Sequence, residues 1–148
     1  QAWRSNYSLY TDLIERYPEN IHAHAGLGKV YYSSGKEHNT DLAEREFEKV
    51  VAMDPNFPMM YTYLGNIKLN KEDLNGALFC YGKAIEVYPY DKEAHLNRGI
   101  TLEKLGRPKE ALADYMFFLT APGSSDDLPG GREHAEKRLR ELTRQTND

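Results

Sequence analysis

The sequence predicts an all-α fold in which antiparallel helix pairs stack into a solenoid. The main observation is a period of 34 residues, which relates Ala43, Ala77 and Ala111. The same period relates Phe47, Tyr81 and Tyr115, then Pro55 and Pro89, then Gly65 and Gly99. A fixed period of this length is typical of proteins built from repeated supersecondary units. With 40% hydrophobic residues, the 148-residue chain can also bury a core.

Local signals divide each period into two helices. We predict first helices at about 21–34, 58–70 and 92–105, and second helices at about 41–53, 74–87 and 108–120. Asn20 and Asp91 can cap helix N-termini, and Pro108 suits a first helical position. Gly35 and Gly106 fit the turns within pairs, because glycine readily adopts positive φ. The strand-like composition of residues 61–64 is outweighed by the helical period.

Small residues lie where the two helices of a pair should meet. Glycine recurs on the first helices and alanine on the second, so the helices can approach closely while larger side chains fill the flanks. These positions are Gly28, Gly65 and Gly99, and Ala43, Ala77 and Ala111. Gly28 and Gly65 are 37 residues apart, so three additional residues are expected near 37–39, in a turn.

This pattern resembles the tetratricopeptide repeat, whose signature is W-x2-L-G-x2-Y, then A-x3-F, then P. The first repeat carries Leu27, Gly28, Tyr31, Ala43, Phe47 and Pro55; the second carries Tyr61, Leu64, Gly65, Ala77, Tyr81, Ala84 and Pro89; the third carries Gly99, Leu102, Ala111 and Tyr115. His24 replaces the expected tryptophan, and Lys68 and Arg98 also depart from the pattern. The resemblance implies a right-handed superhelical solenoid.

The resemblance divides the chain into three repeats and two flanking segments. The repeats are expected at 19–55, 56–89 and 90–122. Residues 1–18 are interpreted as the second helix of a preceding repeat or as an N-terminal cap. Residues 123–148 are expected to form a turn and a C-terminal capping helix, which begins at about Arg132.

Composition excludes several classes of function. The net charge of -4 with mixed signs argues against a nucleic-acid partner. No apolar run approaches the roughly 18 residues needed to cross a bilayer. One cysteine, Cys80, cannot form an internal disulfide or a multi-cysteine zinc site. His22 and His24 diverge on a helix, and no local base activates Cys80, so we expect no metal, no cofactor and no enzyme. The sequence leaves the compartment open between a cytoplasmic and an exported protein.

The resemblance implies that the first helices line a concave groove in which a peptide or helix of a partner protein binds. By register, the expected groove residues are Lys29, Tyr32, Thr62, Tyr63, Asn66, Leu69, Asn97 and Ile100. Aromatic rings and a few polar anchors are the chemistry of a peptide site. We expect a partner segment with apolar side chains rather than a strongly charged one.

Three alternatives stay open at the sequence level. An apolar face on Tyr7, Tyr10 and Ile14 could pair two copies of the chain through the N-terminal edge. The chain could also be the recruitment segment of a larger enzyme. A clamp for chaperone C-terminal carboxylates is disfavoured, because Thr62 and Glu93 stand where such a clamp needs basic residues.

Overall fold

The computed structural model describes residues 2–122 and 128–145. Within these residues the chain is all-helical, with no strand and eight α-helices. They are α1 (Ala2–Arg16), α2 (Ile21–Ser33), α3 (Glu37–Met53), α4 (Met60–Asn70), α5 (Leu74–Val87), α6 (Lys92–Lys104), α7 (Pro108–Thr120) and α8 (Gly131–Gln145). The segment 123–127, which was expected to be a turn, lies outside the described residues.

The helices form a solenoid of pairs. Helices α2 and α3, α4 and α5, and α6 and α7 make the most extensive contacts, and each pair also packs on the next one. Helix α1 packs on α2, and α8 packs on α7. The all-α solenoid predicted from the period is therefore confirmed. In the described part of the chain, no helix has both the length and the apolar character that a bilayer crossing requires.

Glycines on the first helices receive aromatic rings from the second. A Cβ atom added at Gly28 would lie 2.6 Å from the Phe47 ring, and one added at Gly65 would lie 2.5 Å from Tyr81. Tyr115 approaches Gly99 in the same way. Because no side chain larger than hydrogen fits between backbone and ring, the recurring glycine sets the distance between the two helices.

The core follows the solenoid in three clusters of buried side chains. The first joins α2, α3 and α4, and includes fully buried Phe47, Met60 and Ile67. A smaller cluster around Tyr81 joins α5 to α6. The last joins α6, α7 and α8 around Tyr115 and contains seven buried residues. Helix α8 therefore covers the apolar end of the last pair.

Helix termini follow the predicted signals, except at the starts of α4 and α3. The side chains of Asn20 and Asp91 accept hydrogen bonds from the N–H groups of Ala23 and Ala94, at 3.0 and 2.9 Å. Helix α4 begins two residues later than predicted, after Met59 in the left-handed conformation with φ 66°. Because this backbone conformation is non-helical, it prevents an earlier start.

The expected turn conformation of the three-residue insertion is wrong. Residues 37–39 were predicted in a turn, with the following helix starting near Asp41, but α3 begins at Glu37. The insertion therefore extends α3 at its N-terminus, and the helix reaches 17 residues against 14 in α5. Extending a helix satisfies the backbone hydrogen bonds of the added residues within the helix itself, which a longer turn would not do.

Candidate functional site

A first hollow lies beside the first helices of the solenoid, and we call it the proximal depression. It has a volume of about 450 Å³ and lies between α1, α2 and α4. Its lining consists of Asn6, Tyr10, Gly26, Lys29, Val30, Tyr32, Ser33 and Tyr63. Three of the eight expected groove residues, Lys29, Tyr32 and Tyr63, therefore meet in one place.

Tyr63 is the centre of the aromatic floor in the proximal depression. Its ring stacks on Phe47 with 5.0 Å between centroids and meets the edge of Tyr32 at 5.2 Å. The Lys29 ammonium lies 5.8 Å from the Tyr63 ring centroid, within the range of a cation–π contact. Burial raises the pKa of the Tyr63 hydroxyl, with smaller contributions from the charges of Glu93 and Tyr32. The hydroxyl therefore stays neutral and can donate a hydrogen bond.

Helix α1 lies outside the three repeats and forms an additional wall of the proximal depression. The Tyr10 ring lies over Gly26, where an added Cβ would overlap the ring. Tyr7 meets Tyr31 edge-on at 6.0 Å between centroids. Of the apolar edge expected for self-association, Tyr10 and Ile14 are half-buried, whereas Tyr7 is 36% exposed.

A second hollow, the distal depression, lies between α6 and the start of α8. Its volume is about 430 Å³, and it contains the expected groove residues Asn97 and Ile100. The other lining residues are Glu93, Leu96, Leu128, Pro129, Gly130, Gly131 and His134. The segment that leads into α8 therefore forms one wall of the distal depression without filling it.

Asn66 lies in a hydrogen-bond network between the helices rather than in either depression. Its Oδ1 accepts hydrogen bonds from the Tyr81 hydroxyl and from Asn97 Nδ2, both at 2.8 Å. Its Nδ2 donates to Glu93 Oε1 at 2.8 Å. Both lone pairs of the amide oxygen are thus used within the chain. Asn66 connects α4, α5 and α6.

Two further expected groove residues lie away from both depressions. Thr62 is 2% exposed and donates to Asp91 Oδ2 at 2.6 Å, while Asp91 Oδ1 caps α6 through the Ala94 N–H. The hydroxyl therefore connects α4 to the start of α6. Leu69 is half-buried and packs against the cluster around Tyr81. The expectation that Thr62 and Leu69 line the groove is corrected by this packing.

Two buried histidines have a role that the sequence analysis did not assign. In α2, the Nδ1 and Nε2 atoms of His24 lie 2.5 Å from Glu46 Oε2 and 2.8 Å from the Pro18 carbonyl oxygen. In α6, His95 repeats this arrangement with Asp114 and the Pro89 carbonyl. Each ring bridges its partner helix and the turn that ends the preceding pair. A carboxylate at the matching position of the second helix is the sequence signal.

The sequence analysis considered two kinds of group for catalysis, which are Cys80 and the side chains that could bind a metal ion. Cys80 is buried, and burial raises the pKa of its thiol to about 11, so the sulfur is a protonated thiol near neutral pH. In residues 2–122 and 128–145, no three His, Cys, Asp or Glu side chains gather as a metal site would need. The two depressions are candidates for binding because they contain expected groove residues, whereas a further hollow of about 340 Å³ between α5, α6 and α7 contains none of them.

Comparison with known proteins identifies the repeat. Family models of the tetratricopeptide repeat match residues 60–91 and residues 80–113. A crystal structure of MamA superimposes with a TM-score of 0.71 at 20% identity, covering 93% of this chain and 85% of MamA. The TPR domain of Arabidopsis OM64 superimposes with a TM-score of 0.70 at 22% identity, covering 84% of this chain and 97% of OM64.

A further similar structure contains a bound partner. The TPR2B domain of yeast Sti1, in a complex with pHsp70, superimposes with a TM-score of 0.68 at 15% identity. The superposition covers 84% of this chain and 97% of that domain. At these levels of identity the structural similarity establishes a shared fold.

Proposed function

The chain contains tetratricopeptide repeats, and from this premise we propose that it binds an extended peptide or helical segment of a partner protein along its concave face. The proximal depression is the principal contact. Its lining combines three tyrosines with one lysine, and aromatic side chains with a few polar groups are the usual composition of protein-binding hot spots. Such modules bind reversibly, so we expect a dissociation constant near micromolar, or about -8 kcal/mol.

One observation carries this proposal. The rings of Tyr32 and Tyr63 contact each other and Phe47, yet they still line an open hollow of about 450 Å³. Rings held in place by packing lose little conformational freedom when a ligand binds, so the contact area costs little entropy. A partner side chain that enters the hollow would be enclosed by Tyr10, Tyr32 and Tyr63.

The experiment is a pull-down from lysate with quantitative mass spectrometry, and it compares three baits. Wild type is compared with Tyr32→Ala/Tyr63→Ala and with the control Tyr88→Ala/Tyr90→Ala. The control also removes two tyrosine rings, but from the turn between α5 and α6, where they are 53% and 56% exposed. We expect a set of proteins that wild type and the control retain and the groove variant loses.

Two results of this comparison would contradict the groove. The first is an identical protein profile for all three baits, each checked for its helical circular dichroism. The second is a loss of partners with the Tyr88/Tyr90 control, which would place binding on the turns between pairs instead of on the concave face.

A further inference from the structure

Charged side chains at the C-terminal end of α6 are neutralised within the chain. The Glu103 carboxylate is ion-paired with Arg138 of α8, and Lys104 lies 3.2 Å from Glu72. The hydrogen bonds from Arg138 and Tyr115 outweigh burial and lower the pKa of Glu103. These pairs connect elements of the fold.

Lys29 and Glu93 differ from those residues. Among the described residues, neither has an ion-pair partner, although both line a depression. Lys29 is exposed and contacts the Tyr63 ring through its ammonium, which lies 5.8 Å from the ring centroid. Glu93 accepts one hydrogen bond, from the amide of Asn66. An amide donor does not neutralise the charge of a carboxylate.

The two charges have opposite signs and lie in different depressions. Lys29 is the one lysine, arginine, aspartate or glutamate among the residues that line the proximal depression. Glu93 is likewise the one residue of these four types among those that line the distal depression. Tyr63 lines the proximal depression together with Lys29. Asn66, three residues further along α4, donates its amide hydrogen bond to Glu93 in the distal depression. Helix α4 therefore connects the two charges, with Tyr63 on the side of Lys29.

We propose that the partner segment is bipolar, with an acidic side chain beside Lys29, an apolar or aromatic side chain over Tyr63, and a basic side chain beside Glu93. The inference rests on the proposed function, since it names the chemistry of the same groove. The two charges would exclude segments that are uniformly acidic or uniformly basic, because either one would bring like charges together at one end. Selectivity then comes from charge order as well as from shape.

The size of the effect follows from the exposure of the two sites. Ion pairs in contact with water are weak, so we expect each matched charge to improve affinity by a factor of about 1.4 to 5. Both contributions should weaken as the salt concentration rises, because mobile ions screen exposed charges. The contact with Tyr63 should be much less sensitive to salt.

The test is a selection of peptides from a random twelve-residue display library against the purified full chain. Parallel selections use Lys29→Glu, Glu93→Lys and Tyr63→Ala, and the controls Lys109→Glu and Glu48→Lys, which reverse exposed charges on α7 and α3. Wild type and both controls should enrich peptides with an acidic and a basic end around an apolar centre. Lys29→Glu should enrich peptides with only basic ends, and Glu93→Lys peptides with only acidic ends.

The outcomes separate this inference from the proposed function. If no enriched peptide loses binding to Tyr63→Ala, the groove itself is the wrong site. If peptides depend on Tyr63 but show no charge pattern, or the same pattern with Lys29→Glu and Glu93→Lys as with wild type, the groove stands and the bipolar partner is wrong. The inference is supported if Lys29→Glu selects a basic end in place of the acidic one and Glu93→Lys selects an acidic end in place of the basic one.

Discussion

At the scale of single residues, polar side chains replace apolar ones inside the repeats without leaving buried groups unpaired. His24 and His95 occupy equivalent positions, and each one faces a carboxylate, Glu46 or Asp114. No described buried side-chain nitrogen or oxygen is without a hydrogen-bond partner. Because an unpaired buried polar atom costs about 1–3 kcal/mol, each histidine and its carboxylate are expected to tolerate substitution only together.

Asp114 is the most constrained of these carboxylates. It is 1% exposed and accepts hydrogen bonds from His95 Nδ1 at 2.7 Å and from the Arg98 guanidinium at 2.7 and 2.8 Å. Burial alone would raise the pKa of Asp114, but these hydrogen bonds and the positive charges behind them lower it below its ordinary value. Arg98 stands where the other repeats have leucine, so a charged pair replaces an apolar contact.

We predict that Asp114→Asn destabilises the fold and makes its stability less dependent on acid pH. The loss at neutral pH should be on the order of 3 kcal/mol, because Arg98 loses its buried counter-charge. Since the pKa of Asp114 is lower in the folded state, its ionisation stabilises the wild-type fold above about pH 4. That stabilisation disappears as pH falls through the folded pKa. Urea denaturation at several pH values from 7 to 3 measures both effects.

The control for this prediction is Glu48→Gln, which removes an exposed carboxyl from α3. It should change the free energy of unfolding little. Parallel stability curves for wild type and Asp114→Asn from neutral to acid pH would show that Asp114 does not have a lowered pKa in the folded state.

At the scale of helices, the distance between the two members of a pair depends on a glycine and a ring. In the middle pair, Gly65 faces Tyr81, which is fully buried and bonded to Asn66 through its hydroxyl. The ring therefore cannot move aside for a larger residue on α4. Gly82, in the interior of α5, provides a contrast, because an added Cβ there would meet no atom within 4 Å.

We predict opposite effects for the same substitution at these two glycines. Gly65→Ala should lower the free energy of unfolding by about 1–3 kcal/mol, because the new Cβ would overlap the Tyr81 ring. Gly82→Ala should raise it by about 0.5–1 kcal/mol, because alanine loses less backbone entropy in a helix. Thermal and urea denaturation of both variants measure the difference. Equal effects would contradict the close approach of α4 and α5.

At the scale of the whole molecule, the period was sufficient to predict the order of the helices and how they pair. Small residues that recur at the repeat spacing mark where the two helices of a pair meet, so this pairing could be predicted from the sequence. The start of α3 at Glu37 was missed, because three inserted residues lengthen the repeat equally whether they form a loop or extend a helix. Backbone hydrogen bonding decides between these two conformations, and the repeat period carries no information about it.

The groove was less predictable than the fold. Register placed Lys29, Tyr32 and Tyr63 together, because they share one face of neighbouring first helices. It could not show that Asn66 bonds within the chain, since Tyr81 and Glu93 come from other helices. The walls contributed by α1 and by residues 128–131 were also missed, because both lie outside the repeats.

The most direct test of the concave binding site is amide chemical-shift mapping of the full chain by NMR, with a peptide whose binding depends on Tyr63. The groove account predicts the largest shifts in the two depressions, at Lys29, Tyr32, Tyr63, Asn97 and Ile100. Shifts confined to the turn that carries Tyr88 and Tyr90, with the groove amides unchanged, would contradict it.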